Sequence, residues 1–203
     1  MSLRSFRYRR QMALGVVVAA ILSIPVAAGT VAAAQPGPEA PAFTLTILHN
    51  NDGESKLLGA PVSPDYGGVA RFATLVDDLR DAARRGGAPD GQAQRRGVIL
   101  LSSGDNFLAG PEFQASLDKG VPFYDSIALR SIGYDAMAIG NHEFDFGPDV
   151  LADFIEGFGA GGPEFVSANL DVSAEPRLAA LAEDGTIVAS TVVKERGERI
   201  GVV

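Results

Sequence analysis

Val98 to Asn106 reads VILLSSGDN: four consecutive apolar residues run straight into a polar turn carrying Gly104, Asp105 and Asn106. An unbroken apolar run, in place of alternation, marks a strand covered on both faces. Working outward, Phe43 to His49 (FTLTILH) has the same character, Ala136 to Ile139 is a third short strand, and Phe165 to Leu170 a fourth. Between them the period changes. Val69, Phe72, Leu75, Val76 and Leu79 are spaced for a helix within Gly67 to Arg85. Pro122 to Ser131 also reads as helix, as does Pro148 to Phe158, which Pro opens at a first-turn position. Gly86 to Gly97 (GGAPDGQAQRRG) is a polar, Gly-containing loop. Thr186 to Val193 and Arg199 to Val203 predict a β-hairpin around Arg196-Gly197-Glu198. Strands alternating with helices make an α/β fold with a mostly parallel sheet. In such sheets ligands bind beyond the carboxyl ends of the strands.

The 203 residues hold 17 Lys and Arg against 25 Asp and Glu, a net charge of −8. That balance argues against a partner that is a nucleic-acid polymer, which a basic patch would meet. With no Cys there is no disulfide framework, thiolate metal site or Cys nucleophile. Residues 1–34 read as a signal peptide. Arg4, Arg7, Arg9 and Arg10 form a basic start, Met12 to Ile24 an uncharged apolar run, and Ala32-Ala33-Ala34 a small-residue cleavage site before Gln35. The apolar run is shorter than the roughly 20 residues of a membrane span, so no stable membrane anchor is expected. Arg9-Arg10 leaves Sec and twin-arginine export both open. Gln35 to Ala42, with Pro36, Pro38 and Pro41, is an extended linker, and the fold begins at residue 43. The mature protein is expected outside the cytoplasm: secreted, periplasmic or associated with the cell wall.

Three strands end in ligand-bearing turns: His49-Asn50-Asn51-Asp52-Gly53-Glu54, then Gly104-Asp105-Asn106, then Gly140-Asn141-His142-Glu143-Phe144-Asp145. Carboxylates gathered at one sheet edge repel one another unless a cation neutralises them. Asp52, Glu54, Asp105 and Asn141 form an oxygen-rich set suited to Mn, Mg, Ca or Zn. Taken singly, each Asp is an ordinary turn former or helix cap. Their order along the strands carries the signal.

ILHNND (Ile47 to Asp52), GDN (Gly104 to Asn106) and GNHEFDFG (Gly140 to Gly147) together resemble the metallophosphoesterases (calcineurin-like), in their secreted 5′-nucleotidase branch. The resemblance covers about residues 43–203. It implies a four-layer αββα domain of which this chain holds the N-terminal part, truncated after the first half. It further implies two divalent cations. Asp52 would bind the first, Asp105 would bridge both, and Asn141 would bind the second. Where the family places a His two residues after the first Asp, this chain has Glu54, a harder donor that shifts preference from zinc towards manganese, magnesium or calcium. His142 matches the catalytic histidine and Asp145 its orienting partner. His49 is expected to be a packed neighbour of the site.

The implied reaction is hydrolysis of small phosphoesters by a metal-activated water, with nucleoside 5′-monophosphates as leading substrates and 2′,3′-cyclic nucleotides as an alternative. A further alternative is a non-catalytic secreted remnant. The family's later histidine ligands and its base-stacking C-terminal domain have no counterpart here, so the chain alone is expected to be inactive or nearly so. An adhesion or polysaccharide-binding module would leave the Gly140 to Asp145 turn unexplained.

Overall fold

The computed structural model describes residues 43–59, 65–85 and 95–203. The expected leader at 1–34 and the expected linker at 35–42 lie outside the described residues, as does most of the expected loop at 86–97. Arg95 to Gly97 of that loop are strand.

Five parallel strands form the sheet: β1 (Phe43–Asn50), β2 (Arg95–Ser102), β3 (Ala136–Ala138), β4 (Glu164–Val166) and β5 (Ile187–Val188). Their spatial order is their chain order. Five helices intervene: α1 (Val69–Arg85), α2 (Pro111–Lys119), α3 (Tyr124–Ile132), α4 (Pro148–Glu156) and α5 (Pro176–Glu183). An antiparallel hairpin of β6 (Thr191–Glu195) and β7 (Glu198–Val202) closes the described chain.

Pairing register puts Leu48, Leu100, Met137, Phe165 and Ile187 on one sheet face. They share one core with Val76 of α1, Phe113 of α2, Leu129 and Ile132 of α3, Phe154 and Ile155 of α4, and Leu178 and Leu181 of α5. All five helices therefore pack on the same side, as right-handed crossovers between strands laid down in sequence require. Phenylalanines run through this layer. Phe107 stacks on Phe113 with centroids 4.2 Å apart, Phe154 meets Phe107 at 5.0 Å, and Phe165 meets Phe158 at 5.4 Å.

The hairpin lies over the opposite face, at the amino ends of the strands. There Val98 N–H donates to Glu195 Oε1 at 3.2 Å, Arg95 pairs with Glu198 at 2.5 Å, and Thr191 donates to Glu164. The mostly parallel sheet with helices matches the expected α/β architecture; of the expected four layers the described residues hold one layer of helices, the sheet and a two-stranded hairpin.

Several local expectations need correction. β1 is not covered on both faces: it is an edge strand, and Ile47 is 57% exposed. The fourth strand ends at Val166, well before Leu170, and the hairpin begins at Thr191, because Ile187 and Val188 pair with β4 instead. Helices α2 and α5 were not expected, although each opens on a proline at a first-turn position.

Candidate functional site

Three turns meet at the carboxyl ends of β1, β2 and β3. The first two are laced by their backbones. Asp52 N–H donates to the Gly104 carbonyl at 3.2 Å, Glu54 N–H to Asp105 at 3.0 Å and Ser55 N–H to Asn106 at 2.9 Å. Along this seam Asp52, Glu54, Ser55 and Asp105 all take left-handed backbone, with φ of 52, 48, 56 and 54°. Each costs roughly 1–3 kcal/mol and persists only where its surroundings over-determine it. The paired backbones supply that constraint.

The second and third turns touch through glycine. A Cβ on Gly104 would sit 2.6 Å from Gly140 N, and one on Gly140 would lie 2.3 Å from Asp105 Oδ1. No side chain fits at either position, so the approach that brings Asp105 to the third turn depends on both glycines.

Glu143 binds the two turns together. It is 1% exposed and takes hydrogen bonds on both carboxylate oxygens. Asp105 N–H (3.0 Å) and Gly140 N–H (2.8 Å) reach Oε2, while Asn106 N–H (2.8 Å) and Asn106 Nδ2 (2.9 Å) reach Oε1. Asn106, also buried, accepts from the Ser102 hydroxyl at 2.9 Å. Asp105 Oδ1 accepts the His142 backbone N–H at 3.0 Å. Sequence reasoning misses Glu143 and Asn106. Only their place inside the two motifs could draw attention to them.

His142 opens a single 3-10 turn, His142–Phe144. Its Nδ1 lies 2.9 Å from Asp145 Oδ2, and that oxygen also accepts Ala109 N–H at 2.8 Å. The Asp145 hydrogen bond raises the His142 pKa above its usual value against a desolvation penalty, helped by the negative charges of Asp145, Asp105 and Glu54. The Ala109 N–H, then His142, hold the Asp145 carboxyl below the usual carboxylate range. Both side chains remain open to solvent, at 36% and 24%. Once Nδ1 is committed to Asp145, Nε2 is the nitrogen available to a ligand.

The structure thus brings the turns bearing Asp52, Glu54, Asp105, Asn141, His142 and Asp145 to one edge. His49 stands beside them, exposed, with Nε2 2.6 Å from Ser103 Oγ. At the same end of β1, Asn50 accepts a hydrogen bond at 2.9 Å from Tyr134, whose phenol burial pushes up to about 12. As metal donors, Asp52, Glu54, Asp105 and Asn141 are the hard oxygen type that divalent cations take. They do not form a closed site: among the described residues, no three His, Asp or Glu side chains group closely enough to hold a metal ion. The set fits such a cation in the kind of donor it offers. Among the described residues no helix is long and apolar enough to cross a membrane.

No protein-family model matches the chain. It is 33% identical over 167 residues to the trifunctional nucleotide phosphoesterase protein YfkN of Bacillus subtilis, covering 76% of this chain and 10% of that protein. It is 35% identical over 168 residues to a 5′-nucleotidase of Diplobatis ommata, covering 79% and 25%. Among solved structures it resembles the 5′-nucleotidase precursor of Thermus thermophilus, with TM-score 0.58 and 34% identity over 77% of this chain and 27% of that one. The chain therefore spans about a quarter or less of the length of these relatives. Across that span, by sequence and by the sheet, helices and turns described above, it is similar to the N-terminal part of 5′-nucleotidases.

Proposed function

We propose that this chain contributes the first part of an exported, cation-dependent phosphoesterase that hydrolyses nucleoside 5′-monophosphates or closely related nucleotide esters. The observation that carries the reading is the His142–Asp145 pair, standing at the same edge as the oxygen donors of Asp52, Glu54, Asp105 and Asn141. In hydrolysis the phosphoryl oxygens gain charge and the ester oxygen leaves as an alcohol needing a proton. The protonated imidazole, which Asp145 favours, can donate from Nε2 to either oxygen. Asp145 fixes the ring through Nδ1, and Ala109 N–H fixes Asp145.

We assign Asp52, Glu54, Asp105 and Asn141 as donors to two divalent cations, with the shell completed by groups outside these four. Such cations, when bound, supply positive charge to the phosphoryl group and acidify a bound water. Glu54 favours manganese, magnesium or calcium over zinc. Export follows from the basic and apolar pattern of residues 1–34, and a mature amino terminus at Gln35 is the expected finding by terminal sequencing.

The test, on the complete enzyme of which this chain is proposed to form the first part, is phosphate release from nucleoside 5′-monophosphates in Mn²⁺, with His142→Ala and Asp105→Asn alongside. A cation-dependent rate that falls by about 10²–10⁴-fold in His142→Ala supports the assignment. A rate untouched by either substitution overturns it. Mn²⁺ binding, read as loss of the free-ion resonance signal, tests the donors independently of turnover. Asp52→Asn and Asp105→Asn are expected to weaken it at least about tenfold.

A further inference from the structure

The first of the three site turns is held unevenly. Towards β2 it is laced by backbone, with Asp52 N–H on the Gly104 carbonyl and Glu54 N–H on that of Asp105. Towards α1 and α3 it borders an open cavity of about 430 Å³, whose walls include Asn50, Asn51, Gly53, Phe72, Leu129 and Tyr134. Groups that face a void lack the contacts that hold a packed side chain in place. A side-chain hydrogen bond acts on this side. Tyr134 Oη donates to Asn50 Oδ1 at 2.9 Å, and Asn50 is the last residue of β1, from which the turn departs.

Tyr134 is a firm post for that bond. It is buried, and its ring belongs to the helix-side core. The residues around it are fixed in their turn. Arg80 binds the carbonyls of Ile132 and Gly133, the former at 2.7 Å. Asp135 pairs with Leu100 of β2 twice: its N–H donates to the Leu100 carbonyl at 2.9 Å, and its Oδ2 accepts the Leu100 N–H at 2.7 Å. Phenylalanine would fill the same core space with no polar atom to satisfy, so what the hydroxyl adds is its bond to Asn50. Burial pushes the phenol up to about 12, which keeps it a donor. Asn50 is tied through its main chain as well, its carbonyl accepting Ser103 N–H at 3.0 Å. We propose that Tyr134 is a positioning residue which, through Asn50, braces the end of β1 on the cavity side and so sets where Asp52 and Glu54 present their oxygens. Its functional consequence rests on the assignment of those two residues as cation donors.

The test uses the complete enzyme, with Mn²⁺ affinity and amide hydrogen exchange at Asp52 and Glu54 as readouts. Tyr134→Phe removes the hydroxyl and keeps the ring. Asn50→Ala removes its partner. Each is expected to weaken Mn²⁺ binding and speed exchange by about tenfold, the scale of one lost buried hydrogen bond. The double variant should lie within about twofold of either single one, because both remove the same bond. Ile187→Val trims the core at β5, on the opposite edge of the sheet, and should leave both readouts within about twofold of wild type.

Unchanged Mn²⁺ affinity or unchanged exchange in Tyr134→Phe overturns the proposal. Equal effects in Ile187→Val, the mark of a general loss of stability, overturn it too, as do effects that multiply in the double variant. Absence of Mn²⁺ binding by the wild-type enzyme would remove the cation assignment alone. The exchange contrast between Tyr134→Phe and Ile187→Val then decides the positioning role.

Discussion

Glu143 shows how one carboxyl can fix the geometry of a site without reaching its ligand. Donors from two turns converge on its oxygens. Glu143→Gln keeps the shape but turns one accepting oxygen into an NH₂ group facing two donors. Leaving buried donors unsatisfied costs about 1–3 kcal/mol apiece, so a loss of roughly 2–5 kcal/mol in urea unfolding is expected. Asp145 governs its neighbour by charge. In Asp145→Asn the His142 ring loses its chief stabilising partner, and its titration, followed by ring proton shifts, should move down towards the usual histidine value. The sign follows from linkage. The wild-type pair contributes stability fully at pH below the ordinary histidine value and loses it as pH rises through the raised one, so the variant's deficit should shrink in alkali. The turns bearing Asp52, Asp105, Asn141, His142 and Asp145 were legible in the sequence because each follows a strand and carries a recognisable motif. Glu143 was not. Its role depends on donors distant in the chain, and an acid in a turn does not announce burial.

At the scale of elements, α1 and α3 are joined by one side chain. Arg80 donates to the carbonyls of Ile132 and Gly133, at 2.7 Å for Ile132, and pairs with Asp77 at 3.6 Å. Those carbonyls lie at the carboxyl end of α3, where Gly133 takes φ 74° to stop the helix. Arg80→Met keeps the apolar stem and removes the donors. About 1–2 kcal/mol of stability should be lost, with the fold intact by circular dichroism. α4 and α5 are joined in a similar way by Arg177, which pairs with Asp153 at 2.6 Å and Glu156 at 2.8 Å. Strands β2 and β3 and helices α1, α3 and α4 could be read from apolar spacing because each buries a recognisable face. The boundary between β5 and the hairpin could not. Ile187-Val188 and Val192-Val193 are both short β-branched pairs, and only the neighbour each finds, β4 or β7, separates them.

Across the molecule, helices cover one sheet face and the hairpin covers only the amino ends of the other. Ile47, on edge strand β1, is left open near the site. Exposed apolar edges invite pairing between chains. Ile47→Lys should therefore leave unfolding stability within about 0.5 kcal/mol while reducing self-association in a sedimentation series over concentration. Equal association by both proteins would show that this edge does not mediate it.

The strand order has a further consequence, for how the protein is made. Because each new strand docks beside the one synthesised just before it, the sheet can grow vectorially with no strand waiting for a distant partner. Loop closure stays short at every addition, which favours fast assembly. The three turns of the site are all present once Asp145 has emerged, before β4 and β5 exist. A chain emerging end-first from the ribosome can therefore set the edge that bears the three turns on three strands and add the rest of the sheet as it arrives.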